Sequence, residues 1–388
     1  MSFKILTLNN ISVFGLKRLP RDNYEIASEI GHPDAILLRS QNMHDMEIPD
    51  SVRAIGRAGA GVNNIPVEAM SKRGIPVLNA PGANANAVKE LVIAGMLMGA
   101  RNLCQAWSYV QGLDGDDTAL HKAVEAGKKQ FRGIELPGRT LGVVGLGAIG
   151  VEVANAALSM GMEVIGYDPK ITVHRAWQLS SGVEQADSLD QLCRQAEFLT
   201  LHVPLVDQTR NLIDADRLGQ MREGVVLLNF ARNGIIDEDA LNEMLNSGRV
   251  RMYVTDFPSN KLKSHERVTA LPHLGASTGE AEDNCAAMVA QNIRDFLENG
   301  NIRHSVNFPT AILPRTKGYR LAIANANVPN MLGQISTCLA DSSLNIVDML
   351  NKSRGEVAYT LVDVDTAISE STLANLSAID GVLNVRAM

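Results

Sequence analysis

The sequence predicts an α/β protein: two doubly wound parallel-sheet lobes followed by a small C-terminal module with ferredoxin-like βαββαβ order. Three observations predict it. Short apolar runs alternate with helical patterns up to about residue 300, and the runs end in polar or glycine clusters. A glycine-rich strand–turn–helix stands at residues 140–169. The order strand, helix, strand, strand, helix, strand fills residues 319–388.

In the first lobe, KILTLNNI (4–11) and AILLRS (35–40) read as buried parallel strands, being short, apolar and bounded by turn residues. VRAIGRAG (52–59) and IPVLNAPG (75–82) continue the pattern, with a short helix at 67–73 between them. In an open parallel sheet the ligand crevice lies beyond the C-terminal strand ends. Arg39, Ser40, Arg57, Ala60, Gly61 and Asn79 occupy such ends and are candidate ligand contacts. Residues 88–101 read as a helix whose Gly95 and Gly99 share a face, which predicts close packing against another element. Residues 111–133 are polar and irregular and read as a partly helical connection, and 280–300 form a second long helical pattern. NIRHSVNFPTAILPRTKG (301–318) contains two prolines and little periodicity, and reads as a linker.

The strand–turn–helix at 140–169 carries the most specific signal. An apolar strand runs into Gly145-Leu-Gly147-Ala148-Ile149-Gly150, a helix follows at once, and a second strand ends in Asp168. Gly145 permits the tight turn, Gly147 lets the backbone approach a pyrophosphate, and Gly150 lets helix and strand pack closely. The helix N-terminus offers unpaired N–H groups to the phosphates. Asp168 stands near the ~20-residue spacing of a ribose-binding acid. A carboxylate there accepts from a 2′-hydroxyl and repels a 2′-phosphate, so the predicted cofactor is NAD.

Three later strands end in residues with chemistry: FLTLHVPL in His202-Val203-Pro204, VVLLNFARNGIIDEDAL in Asn229 and then Arg232, and VTALPHLGAST in His273. Hydride transfer from a 2-hydroxy acid needs a cation for the carboxylate, which a guanidinium supplies bidentately. It also needs a proton acceptor for the hydroxyl, which histidine supplies. Arg232 and His273 fit these roles. His202, before a proline, is expected to pack and orient backbone beside the cofactor rather than to act as acid or base.

Composition narrows the alternatives. The net charge of −7, from 43 acidic and 36 basic residues, is the reverse of a nucleic-acid binder's basic field. The longest apolar run, 91–100, is about half the ~20 residues that span a bilayer. MSFKILTLNN lacks the features of a secretory signal. Cys104, Cys193, Cys285 and Cys338 are far apart with no CxxC pair, so neither a metal site nor a disulfide framework is expected, and a cytoplasmic location is.

In their order, GLGAIG, YDP, LHVPL, NFARNGIIDEDAL and PHLGAST, with GRAGAGVNNI upstream, resemble the NAD-dependent D-2-hydroxyacid dehydrogenase family over essentially the whole chain. The resemblance implies two Rossmann-like lobes. These are a substrate-binding lobe of residues 1–98 and 283–310 and an NAD-binding domain of 99–282. A linker at 311–318 then leads to an ACT regulatory domain at 319–388. It implies oxidation of 3-phospho-D-glycerate to 3-phosphooxypyruvate, the first step of L-serine biosynthesis. Other members act on glyoxylate or hydroxypyruvate, and non-catalytic NAD-sensing regulators share the catalytic lobe without being expected to carry an ACT tail.

By the same resemblance Arg232 binds substrate, His273 is the acid/base, and Asp256 contacts the nicotinamide. Gly145, Gly147, Ala148, Ile149, Gly150, Asp168, His202, Val203, Pro204, Phe230, Ala231, Gly275 and Ala276 line the NAD site with them. Asn325, Asn327 and Asn345 match or stand at effector positions of serine-regulated members, although Asn325 replaces a usual histidine and Asn330 a usual glycine. A homodimer through the NAD lobe, or a homotetramer through the ACT tails, is implied as well. One departure stands out. The family pairs its histidine with a glutamate shortly after an Asp-Val-Phe stretch, whereas YVTDFPSNK (253–261) is one residue short and puts Asn260 near that place. Asp256, Glu280 or Glu282 is expected to take over part of the carboxylate's role.

Overall fold

Three sheets carry the chain in the computed structural model, which describes residues 2–316 and 318–388; Lys317, in the expected linker, lies outside the described residues. The chain divides into one unit of Met1–Ala83 with Gly279–Met388 and a second of Asn84–Thr278.

The first unit opens with β1 (Phe3–Leu8), β2 (Tyr24–Ala27), β3 (Ala35–Leu38), β4 (Ala54–Arg57) and β5 (Val77–Leu78), in the order β2-β1-β3-β4-β5 and parallel throughout. Burial on both faces explains the unbroken apolar runs. Ala35 and Leu37 pack towards Val289 and Ile293 of the helix Gly279–Asn299, while Ile36 and Leu38 pack towards Met70 and Ile75. Edge strand β2 was not legible as a strand, because YEIA is short and interrupted by an acid.

The second unit contains β6 (Thr140–Val144), β7 (Glu163–Tyr167), β8 (Val183–Gln185), β9 (Phe198–Leu201), β10 (Val225–Asn229), β11 (Val250–Thr255) and β12 (Val268–Ala270). All are parallel, in the order β12-β11-β10-β9-β6-β7-β8. The winding direction reverses at β6, flanked by β7 on one side and β9 on the other, which is where such sheets open a crevice. The helix Ala85–Arg101 belongs to this unit, so the division falls ahead of the expected 98/99. Its two glycines are the reason: a Cβ at Gly95 would stand 2.8 Å from the Phe230 ring, and one at Gly99 would stand 2.6 Å from Val226. A helix at Leu103–Gln111 follows, and the polar stretch after it is partly helical, at Asp117–Gly127.

The chain returns to the first unit to form β13 (Tyr319–Ala326), β14 (Ile346–Arg354), β15 (Val357–Val364) and β16 (Val382–Ala387), antiparallel in the order β14-β15-β13-β16. The helices Met331–Asp341 and Glu370–Ser377 cover one face through Ile335, Leu339 and Leu376. The other face is not left to solvent. Ala322, Ala324, Tyr359 and Leu361 share one core with Phe296, Leu297, Ile302 and Phe308. Arg320, fully buried, binds Asp363 through two N–H groups (2.6 and 2.8 Å) and donates to the carbonyls of Asn299, Leu313 and Pro314. The Tyr359 hydroxyl donates to the Gly300 carbonyl at 2.8 Å. The segment read as a linker is therefore packed structure: Ile302 and Ala311 are fully buried and bridge to each other. Its prolines prevent regular helix or sheet and leave side-chain packing untouched.

Among the described residues no helix is long and apolar enough to cross a membrane, and no cluster of His, Cys, Asp and Glu could hold a metal ion.

Candidate active site

The second unit builds its site from strand ends. After β6 the chain turns at Gly145, whose φ of +91° favours glycine and whose Cβ would press on the His202 carbonyl at 2.7 Å. Gly147 then caps the helix Ala148–Ser159 and has open space where a side chain would be, so backbone N–H groups are accessible to a ligand. At Gly150, in the first turn, any Cβ would collide with the Gly145 carbonyl. Asp168, directly after β7, accepts from the backbone N–H groups of Leu146 and Lys170, both at 2.9 Å, which fixes its carboxylate beside the glycine turn. Val203 backs Gly145, and Phe230 is buried against Gly95.

His202 is held by its backbone N–H to Val144 (2.8 Å) and by a ring contact with Thr200 Oγ1 (3.0 Å). Burial drives its imidazole pKa down to about 3, which keeps it neutral and suits an orienting residue.

The residues with reaction chemistry converge further along the same edge. Asn229, buried at the end of β10, accepts from the N–H groups of Ala231 (3.2 Å) and Arg232 (3.3 Å) and donates to the Arg232 carbonyl (2.9 Å) and the Tyr253 hydroxyl (3.3 Å). The turn that projects Arg232 is thus wrapped around one amide. Thr255, ending β11, donates its hydroxyl to the Asn229 carbonyl and accepts from the Phe257 N–H, tying two strand ends together. Phe257 is the meeting point: the Arg232 guanidinium carbon lies 6.0 Å from its ring centre, and the His273 ring lies 4.7 Å away at 49°. His273 reaches there through a positive φ of 53°, its N–H donating to the Asp256 carbonyl at 3.0 Å.

Asp256 is fully buried. One carboxylate oxygen accepts from the Gly275 N–H at 3.0 Å, and the other has no partner. Burial pushes its pKa up, against the opposing pull of the Gly275 N–H and the charges of His273 and Arg232. An unpartnered buried carboxylate oxygen beside a histidine and an arginine calls for a donor from a ligand. With the accessible turn at Gly147 and the acid after β7, it makes these residues a fit for NAD. Asn260, the residue near the family's glutamate position, is exposed in the following turn.

In the first unit, Arg39 directly follows β3 and Arg57 ends the adjacent β4, where it pairs with Leu38. Arg57 Nε donates to the Arg39 carbonyl at 3.0 Å, and Arg39 forms an ion pair with Glu282 at 2.7 Å. The Ser40 N–H donates to Asn9. Asn79, almost buried, uses its amide to hold the Ala60 carbonyl at 2.6 Å, so it braces the loop containing Ala60 and Gly61. Asn292 in turn donates to the Asn79 carbonyl at 3.2 Å. Sequence reasoning missed Asn292, Phe257 and Thr255 as contributors. A polar residue inside a helical apolar pattern was the one signal for Asn292.

The three effector candidates do not meet within one chain. Asn325 pairs across from Ala358, and Asn327 is held by the Gly355 carbonyl, at one end of the antiparallel sheet. Asn345 precedes Ile346, which pairs with Val364 at the other end. At ~3.3 Å per residue the two ends are roughly 20 Å apart.

The site thus defines a dinucleotide-binding protein with a guanidinium and an imidazole brought together at Phe257. Residues 93–275 match the model for "D-isomer specific 2-hydroxyacid dehydrogenase, NAD binding domain". The chain is 38% identical over 352 residues to D-3-phosphoglycerate dehydrogenase of Methanocaldococcus jannaschii, covering 88% of this chain and 63% of the relative. It is 31% identical to the protein of the same name from Haemophilus influenzae, covering 95% of this chain and 89% of that one. Among solved structures, NAD+-bound 3-phosphoglycerate dehydrogenase of Entamoeba histolytica aligns with a TM-score of 0.60 at 27% identity, covering 79% of this chain and 99% of the other. The chain belongs to the D-isomer specific 2-hydroxyacid dehydrogenase family. It spans less than two thirds of the length of several relatives, 63% of the M. jannaschii protein and 50% of one from Synechocystis.

Proposed function

We propose that this chain is an NAD-dependent dehydrogenase that oxidises 3-phospho-D-glycerate to 3-phosphooxypyruvate in L-serine biosynthesis, acting in the cytoplasm. The observation that carries the reaction class is the convergence of Arg232 and His273 on Phe257, beside buried Asp256. The names of the relatives support the choice of substrate.

The turn at Gly145, Gly147 and Gly150 and the acid Asp168 would hold NAD, which would supply the acceptor for the hydride at C2 of the substrate. Arg232 binds the substrate carboxylate through paired N–H groups, and the turn around Asn229 holds its backbone in place. His273 takes the hydroxyl proton as the carbonyl forms. Asp256 places negative charge near the imidazolium that results, in the role a glutamate fills elsewhere in the family; Glu282 is already engaged by Arg39. Arg39 and Arg57 are the proposed phosphate contacts. L-serine is the proposed effector, held between two copies in a homodimer or homotetramer, since Asn325 and Asn345 stand at opposite ends of one sheet.

The test is NADH formation by purified protein across a panel of 2-hydroxy acids, with and without L-serine. 3-Phosphoglycerate is expected to be the best substrate, and His273→Asn to lower kcat by roughly 10²–10⁴-fold with little change in NAD affinity. A preference for glycerate or lactate, or full activity of the histidine variant, overturns the reading. A flat response to L-serine removes the effector.

A further inference from the structure

We propose that Glu282 sets specificity at the phosphate-binding end, acting as an internal counter-anion that holds Arg39 and weakens the grip on a ligand in proportion to the ligand's negative charge. The inference rests on the reading that Arg39 and Arg57 meet an anion.

Four residues from three elements carry it. Arg39 and Arg57 emerge from neighbouring strand ends, and Arg57 is tied to the Arg39 carbonyl. Arg57 folds back over Gly59, whose φ of +152° and missing Cβ leave room for the guanidinium. Glu282 comes from the first turn of the helix Gly279–Asn299 and reaches Arg39 Nη1 at 2.7 Å. Cys285, one turn further on, feels all three: burial raises its thiol pKa, the charges of Arg57 and Arg39 oppose this, and Glu282 adds to it. Two cations and one carboxylate therefore face a common point at the start of this helix.

The Arg39 and Glu282 side chains are 37% and 43% exposed. An exposed pair of this kind is weak, so an incoming anion can displace the carboxylate. The displaced Glu282 cannot move far on its helix and continues to repel the ligand. At a separation of about 5 Å in a water-like medium that repulsion amounts to roughly fourfold in affinity per unit of ligand charge. The device lets two arginines recognise a phosphorylated acid without retaining the phosphorylated product.

Calorimetric titration of the full chain with inorganic phosphate, 3-phosphoglycerate and D-glycerate tests this, at a pH where phosphate is a dianion. Glu282→Gln is expected to tighten inorganic phosphate about 15-fold, 3-phosphoglycerate by at least as much, and glycerate about fourfold or less. Glu282→Asp should stay near wild type, and Arg39→Gln should weaken the phosphate ligands. The graded dependence on ligand charge is the readout that a merely structural role would not produce. Equal changes for all three ligands, unchanged or weaker affinities in Glu282→Gln, or no phosphate binding in any form, overturn the proposal. If 3-phosphoglycerate yields no NADH while Glu282→Gln still tightens inorganic phosphate, the proposed substrate falls and this inference stands. If NADH forms and the affinities do not respond to Glu282→Gln, the reverse holds.

Discussion

Arg232 and Arg320 are both strand-associated arginines, and the two units use them in opposite ways. Arg232 follows β10, is exposed, lies near the Phe257 ring, and sends Nη1 to the adjacent Ala231 carbonyl. Arg320 lies within β13, is fully buried, and makes five hydrogen bonds, two to Asp363 and three to backbone carbonyls. An arginine whose N–H groups are already satisfied by the protein is a clamp, and one presented to solvent keeps N–H groups available to a ligand. Arg39 stands between them, half-exposed and paired with a single carboxylate.

The comparison can be broken most severely at Arg320. Arg320→Met strands a buried carboxylate and three carbonyls, and should lower unfolding stability by ~3–5 kcal/mol in urea titrations. An unchanged midpoint would show that the clamp is dispensable. The same pair predicts an acid dependence. Burial alone would raise the Asp363 pKa, but hydrogen bonds from Arg320 and Thr316 and the charge of Arg320 bring it below the ordinary carboxylate value. A depressed carboxylate pKa contributes stability that is complete above the unfolded value of ~4 and disappears as pH falls through the folded one. The wild type should therefore lose more stability in acid than Arg320→Met does.

A smaller effect is expected at Arg232. Arg232→Lys keeps the charge and loses the planar fork, so kcat/KM should drop by roughly 10- to 100-fold, the ~1.5–3 kcal/mol of a charged hydrogen bond, with stability near wild type. A large loss of stability in this variant would place Arg232 with Arg320 as a structural residue.

The smallest change sharpens the contrast between function and stability. Asp256→Asn preserves shape and can keep the Gly275 N–H contact while removing a charge that burial disfavours. Because the folded pKa is raised, the charged form detracts from stability at neutral pH. The variant should melt no lower than wild type while its kcat falls by about tenfold, less than the roughly 10²–10³ of a direct transition-state donor. A lower melting temperature with unchanged rate would make Asp256 a structural residue only.

How much of this could be read beforehand varied by residue. Gly145, Gly147, Gly150 and Asp168 were legible because a tight turn, an approachable backbone and a ribose acid each demand one residue type at one spacing. Arg232 and His273 were legible as strand-end residues of the right chemistry. Nothing local showed that Arg320 would be fully buried, or that Phe257 would lie near both guanidinium and imidazole. Asn79 looked like a ligand contact, and the fold gave its amide to the Ala60 carbonyl. The prolines at 301–318 suggested a tether, whereas the segment is packed into a shared core.

The sequence by itself determined the parallel and antiparallel sheets, the glycine turn after β6 and the chemistry offered at the strand ends, because period, glycine placement and strand-end position are properties of neighbouring residues. Only the tertiary structure decided which charges are buried, which amides serve as braces, and that Glu282 meets Arg39. Those outcomes depend on contacts between separate segments, from Asn79 with Ala60 and Arg320 with Asp363 to Arg39 with Glu282, where packing and desolvation, rather than local preference, set the energy.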